Sequence, residues 1–128
     1  MTDNKDSLEA GRARRREVLG DAHVERSEKN RNAFNEDFLD IMTKFAWGDV
    51  WTRPNLDKQM RSRLTLSILI ALNRVDEFKL HVKGAINNGL TPDDIKEVII
   101  HASVYAGIPA AVSAFGWANE VLTEMGEI

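Results

Sequence analysis

The 128-residue chain has no cysteine, which removes disulfides, thiol nucleophiles, thiolate metal sites and dithiol redox chemistry together. It also lacks an excess of positive charge. Seventeen Lys and Arg against 20 Asp and Glu give a formal net charge of −3 and a pI near 5.6, leaving no electrostatic footprint for nucleic acid. No apolar run is long enough to span a bilayer, and MTDNKDSLEAG has no basic region followed by an apolar one, as a secretory signal would. The expectation is a cytoplasmic protein with no membrane partner. No period-two strand pattern, glycine-rich phosphate loop or internal repeat occurs, so the fold should be all-α. At 43% hydrophobic the chain has material for one real core.

The chemistry concentrates between Arg74 and Pro109, where two of the three histidines stand at helical spacing from glutamates. Thr91, Pro92, Asp93 and Asp94 make a strong helix start: a hydroxyl cap, a proline at the first helical position and acids at the positive end of the dipole. One helix is predicted over about 76–88, stopping at Gly89, and a second from Pro92 to about Tyr105, ending at Gly107. Phe78, Val82, Ala85 and Ile86 form the buried stripe of the first. Glu77 and His81 flank it, and Gly84 and Asn88 continue that flank with room for a ligand or a neighbouring backbone. On the second, Ile95, Val98, Ile99, Ala102 and Ala106 make the core stripe, and Glu97, His101 and Tyr105 form another titratable column. A single solvated Glu-His pair contributes only about 0.2–0.5 kcal/mol. Two pairs on consecutive helices, each bordering an apolar stripe, point to a pocket on at least one.

Residues 1–31 carry few large apolar side chains and read as an N-terminal charged helical segment, separate from a helical domain over 32–128. A short helix should end near Gly20, with Arg12, Arg14, Arg15 and Arg16 forming a solvated face or, as the alternative, binding a phosphate or an acidic patch. Phe34, Phe38, Leu39, Met42 and Phe45 then follow the pattern of a buried helix ending at Trp47 and Gly48. WGDVWTRPNL is a shaped loop in which Trp47 and Trp51 pack, Trp51 also being a substrate-binding candidate, and in which Arg53 is a rigidly presented anion ligand. Residues 57–72 form a helix whose run from Leu64 to Leu72 implies burial on all sides, as a central helix or a subunit interface. Arg61 and Arg63 stand one turn before that run. Residues 110–124 close the fold with a helix of small side chains.

WGDVWTRPNL, RSRLTLSILIALNR and EFKLHVKGAINNGLTPDDIKEVIIHASVYAGIPAA together resemble the carboxymuconolactone decarboxylase family, over about 34–124. The resemblance implies an alkyl hydroperoxidase D-like bundle of about six helices. In the redox members of that fold a Cys-x-x-Cys is followed by a histidine four residues after the second cysteine. Here that histidine corresponds to His81, the cysteine positions to Arg74 and Glu77, and a glutamate one helix earlier falls near Arg63. Peroxidase chemistry is therefore lost while the pocket is retained.

The activity implied is decarboxylation of 4-carboxymuconolactone to 3-oxoadipate enol-lactone in protocatechuate breakdown, the β-ketoadipate pathway. Such a substrate is a dicarboxylate lactone whose ring carbonyl accepts the electrons left by carbon dioxide, so no cofactor and no metal are expected. The protein must clamp the retained carboxylate, destabilise the departing one, stabilise the dienolate and return a proton. Catalytic candidates are His81, Glu77 and His101; substrate-binding candidates are Arg53, Arg63, Arg74, Glu97, Tyr105 and Trp51. The resemblance also implies a homo-oligomer, a hexamer built as a trimer of dimers. The alternatives are a non-catalytic helical module, or a family member acting on another small carboxylated lactone.

Overall fold

A computed structural model describes residues 4–128, which are helical and contain no strand. The helices are α1 (Asn4–Leu19), α2 (Asp21–Lys29), α3 (Glu36–Met42), α4 (Lys58–Ala71), α5 (Val75–Asn87), α6 (Pro92–Ala106) and α7 (Ile108–Glu124), with a π-helical segment (Thr43–Val50) continuing α3. They form two compact units, one running to Asp57 and one from Lys58 to Ile128.

In the first unit α1 lies along the π segment, and two glycines set the closeness. A Cβ at Gly11 would overlap Thr43 O, and one at Gly48 would overlap the Ser7 carbonyl, so only hydrogen fits at either position. Ser7 Oγ donates to Asp49 Oδ1 at 2.6 Å and Arg14 Nη1 to the Trp51 carbonyl at 2.9 Å, fixing the register. Helix α1 ends at Leu19 as expected, but Gly20, with φ 89°, only turns the chain into a further helix, α2.

Three expectations for this unit are corrected. The four arginines do not make a uniformly solvated face, because Arg15 is only 5% exposed and its Nη2 donates to Ser27 Oγ at 2.9 Å. The stripe of Phe34, Phe38 and Phe45 is not buried within the chain: Phe34 is 98% exposed, and Phe38 and Phe45 are also open. The helix carrying that stripe does not end at Trp47 and Gly48 but runs on to Val50, with Trp51 N donating to Ala46 O at 2.9 Å in a five-residue step.

The second unit is a ring of four helices in which α4 and α7 each pack on both α5 and α6. Its core is built from Leu66 and Ile70 of α4, Phe78, Val82 and Ala85 of α5, Ile95, Ile99 and Ala102 of α6, and Ala111, Ala114, Ala118 and Val121 of α7. Phe78, fully buried, meets Trp117 edge-on with centroids 5.8 Å apart. The alanines bring α7 close to its neighbours, and Lys79 of α5 pairs with Glu120 of α7 at 2.8 Å. Within the chain α4 is not buried on all sides, since Leu64 and Ile68 of α4 and Leu72 just after it, spaced one turn apart, are exposed.

The turns follow the sequence signals. Asn73, at φ 58°, carries the chain from α4 to α5, and Gly89 (φ 97°) and Gly107 (φ 102°) end α5 and α6. Thr91 caps α6 with a full capping box: Asp94 N donates to Thr91 Oγ1 at 3.2 Å, and Thr91 N donates to Asp94 Oδ2 at 2.9 Å. No helix among the described residues is long and apolar enough to cross a membrane.

Candidate functional site

Both titratable columns read from the sequence lie in the second unit. On α5, Arg74, Glu77 and His81 follow one another at intervals of three and four residues and so share one flank. Arg74 is the N-cap residue; its Nη2 donates to Glu77 Oε1 at 2.6 Å. The Arg74 guanidinium holds the Glu77 carboxyl below the usual carboxylate range, and the nearby imidazole of His81 adds to the effect. Reciprocally, Glu77 raises the Arg74 pKa. Glu77 is thus an anion committed to a cation, and it sits one turn before an imidazole. His81 is half-buried, and its Nδ1 is closed to solvent.

The rest of that flank is packing. Gly84 and Asn88, read as a place with room for a ligand or a backbone, are buried. Asn88 Nδ2 donates to Ser62 Oγ at 2.9 Å and reaches Lys58 O at 3.4 Å, tying the end of α5 to the start of α4. The open part of the flank is therefore its first two turns.

The α6 column borders two shallow cavities against α4. One, of about 320 Å³, is lined by Arg63, Leu64 and Ser67 of α4 and Asp94, Glu97, Val98 and His101 of α6. The other, of about 290 Å³, is lined by Ser67, Ile68, Ala71, His101, Ala102, Tyr105 and Ala106. His101 stands between them, its ring centroid 5.5 Å from that of Tyr105. Arg63 Nη2 lies 3.4 Å from Asp94 Oδ1. The bonds from Thr91 are the main reason the Asp94 carboxyl sits below its ordinary range, and Arg63 lowers it further. Asp94, which sequence reasoning used only as a helix-start residue, therefore also orients a candidate arginine; its capping-box position hid this second contact. His101, Glu97 and Tyr105 are exposed, Tyr105 to 82%.

The structure thus groups Arg74, Glu77 and His81 in one constellation, and Arg63, Glu97, His101 and Tyr105 in another. Arg53 and Trp51 belong to the first unit. Arg53 is exposed after the π segment, and Trp51 is buried with its ring stacked on Trp47 at 4.9 Å. Among the described residues no three His, Asp or Glu side chains converge as a metal site would require.

Comparison with known proteins gives this geometry a context. The model of the carboxymuconolactone decarboxylase family matches residues 36–120. The chain is 48% identical over 112 residues to the 4-carboxymuconolactone decarboxylase of Acinetobacter baylyi, covering 88% of this chain and 84% of that protein. It is 40% identical over 111 residues to the nitrosuccinic acid decarboxylase of Metarhizium robertsii, covering 87% of this chain and 78% of that one. A 4-carboxymuconolactone decarboxylase of Pseudomonas putida is 47% identical over 47 residues, 37% of this chain and 98% of the other.

Proposed function

Since the chain belongs to the carboxymuconolactone decarboxylase family, we propose that it is a carboxy-lyase converting 4-carboxymuconolactone to 3-oxoadipate enol-lactone in protocatechuate breakdown in the cytoplasm. The observation that carries this reading is the 48% identity to a decarboxylase of that name over most of both chains. Incubating the purified protein with 4-carboxymuconolactone and following carbon dioxide release tests it. A protein that binds the lactone without turnover is a helical binding module instead.

The reaction suits a protein without a cofactor. Losing carbon dioxide from the ring carbon beside the lactone oxygen leaves an electron pair that flows through the ring double bond to the lactone carbonyl. Nitrosuccinic acid, the acid in the second relative's name, also carries two carboxylates and brings its own electron acceptor, the nitro group. The common requirement is a protein that grips one carboxylate, lets the other leave, and returns a proton.

We assign these tasks to the α5 flank. Arg74 spends one N–H on Glu77 and, with five donors in a planar fork, keeps others for the retained carboxylate of the substrate. His81, seven residues further on, stands about 10 Å along the helix at 1.5 Å per residue, a span that suits a small dicarboxylate lying along the flank. Its half-burial shields the proton it delivers, and histidine ordinarily titrates near working pH. Glu77 stands between them, one turn before the imidazole, and shares the proton work.

A second reading is favoured by the cavity of about 320 Å³ on the α4/α6 side. There Arg63 would clamp the carboxylate, Leu64 and Val98 would supply the apolar wall that disfavours the departing charge, and His101 with Glu97 would move the proton. Tyr105 in the neighbouring cavity would meet the dienolate oxygen. Exposure counts against it, because an imidazole open to water loses the dielectric advantage of a site that excludes solvent. On either reading Trp51 serves packing in the first unit.

We further assign the exposed apolar stripes to contacts between copies. Leu64 and Ile68 on α4, Leu72 just after it, Val104 on α6, and Ile108 and Val112 on α7 are too many exposed large side chains for an isolated unit. A hexamer arranged as a trimer of dimers, as the family resemblance implies, would cover them.

A further inference from the structure

We propose that the arginine-walled cavity of the first unit is a binding site for a small oxyanion, either inorganic phosphate or the carboxylate of a small metabolite. The cavity, about 250 Å³, is lined by Arg12, Arg15 and Arg16 of α1, Val24 and Glu28 of α2, and Thr43 of the π segment. At about 30 Å³ per water it holds about eight, enough for phosphate or a four-carbon dicarboxylate and too little for a nucleotide.

The charges on its wall do not balance. Arg16 is matched outside by Glu25 at 2.7 Å and Asp21 at 3.3 Å. Arg12 and Arg15 have only Glu28 to face, and Glu28 is already taken: Arg31 donates to it from Nε at 2.7 Å and from Nη2 at 3.3 Å. Arg31 is the main reason the Glu28 carboxyl is depressed, with Arg15 and Arg12 acting only through space. Arg15 Nη1 stands 3.6 Å from Glu28 Oε1, beyond hydrogen-bond distance.

Arg15 shows the deficit at atomic level. It is nine-tenths buried, and its Nε is closed to water and has no acceptor. Burial pushes the guanidinium pKa down, and Arg31 and Arg16 add repulsion against the partial relief from Glu28. A buried cationic donor without an acceptor is costly, so such groups occur where something completes them. Nothing else on the wall does so: Val24 is apolar, and the Thr43 hydroxyl, which donates to the Leu39 carbonyl at 2.7 Å, accepts no bond from the Arg15 Nε. An oxyanion entering between Arg12 and Arg15, with a small rotation of the Arg15 fork, would receive charge-assisted bonds from both. The site lies in the first unit and does not depend on the decarboxylation reading.

The test is titration calorimetry on the full chain with sodium phosphate and, separately, with succinate, each against sodium chloride at equal ionic strength. Saturable binding by phosphate alone identifies a free-phosphate site; binding by succinate identifies a carboxylate site. In either case Arg12→Gln, a change at an exposed position, should weaken binding at least about tenfold. Arg15→Lys, which keeps the charge but loses the fork, should weaken it too. Arg74→Gln and Arg63→Gln should leave it unchanged, which separates this site from the proposed substrate sites. No heat above the chloride control for either anion, or undiminished binding in both Arg12→Gln and Arg15→Lys, would overturn the proposal.

Discussion

Arg74 and Glu77, three residues apart at the start of α5, are joined by a 2.6 Å hydrogen bond from Nη2 to Oε1. The bond makes the glutamate an anion over a wider pH range than a free side chain would be. If the imidazole of His81 works beside that anion, the pair sets the acid limb of the reaction. Removing Arg74 takes away the largest cause of the depression, so the Glu77 pKa rises and the carboxylate is lost at a higher pH as the solution is acidified. Arg74→Gln should therefore move the acid limb of kcat/KM upward in pH and raise KM, since the clamp goes with it. A profile that keeps its acid limb would separate Glu77 from the chemistry.

Thr91 tests the structural side of the same region. Its hydroxyl accepts from Asp94 N, and Asp94 in turn lies 3.4 Å from Arg63. Losing such a cap costs typically about 1 kcal/mol. Thr91→Ala should lower the urea midpoint accordingly with the denaturant slope unchanged, and should leave turnover close to wild type if the α5 flank is the site. A large loss of turnover would mean that the α4/α6 side, which Asp94 helps to orient, performs the reaction.

The helix starts and stops of this region were legible because each rests on a local rule. A hydroxyl before Pro92-Asp93-Asp94 and glycines at 89 and 107 act within one turn, and the structure places α6 at Pro92–Ala106 with Gly107 at positive φ. Burial was not legible in the same way. The periodicity of Phe34, Phe38 and Phe45, or of Leu64, Ile68 and Leu72, says which face is apolar, but not whether the same chain covers it. Arg15 was misread because a run of arginines looks solvated until α2 folds back beside it, and Gly20 gave no sign that another helix would follow. The close approach of α1 to the π segment depends on Gly11 and Gly48, 37 positions apart, and no local pattern connects them. For the site, the columns themselves could be read from spacing. Which cations each would face depends on packing: Arg74 turned to Glu77, and Arg63 to Asp94.

The exposed stripe on α4 predicts self-association. Sedimentation velocity at micromolar concentration should show a hexamer for the wild type, and Ile68→Asp, at a position 55% exposed in the single chain, should shift it to smaller species with helicity retained. A monodisperse wild-type monomer would contradict the assignment.

The most direct measurement is the turnover of 4-carboxymuconolactone by His81→Gln, with His101→Gln beside it and circular dichroism showing both folded. A general acid contributes typically about 100 to 10,000-fold in rate. His81→Gln should fall at least about a hundredfold, on the order of 3 kcal/mol in the barrier, and His101→Gln should lose far less. Near wild-type turnover in His81→Gln together with a collapse in His101→Gln would contradict the account and move the chemistry to the cavity of Arg63, Glu97 and His101.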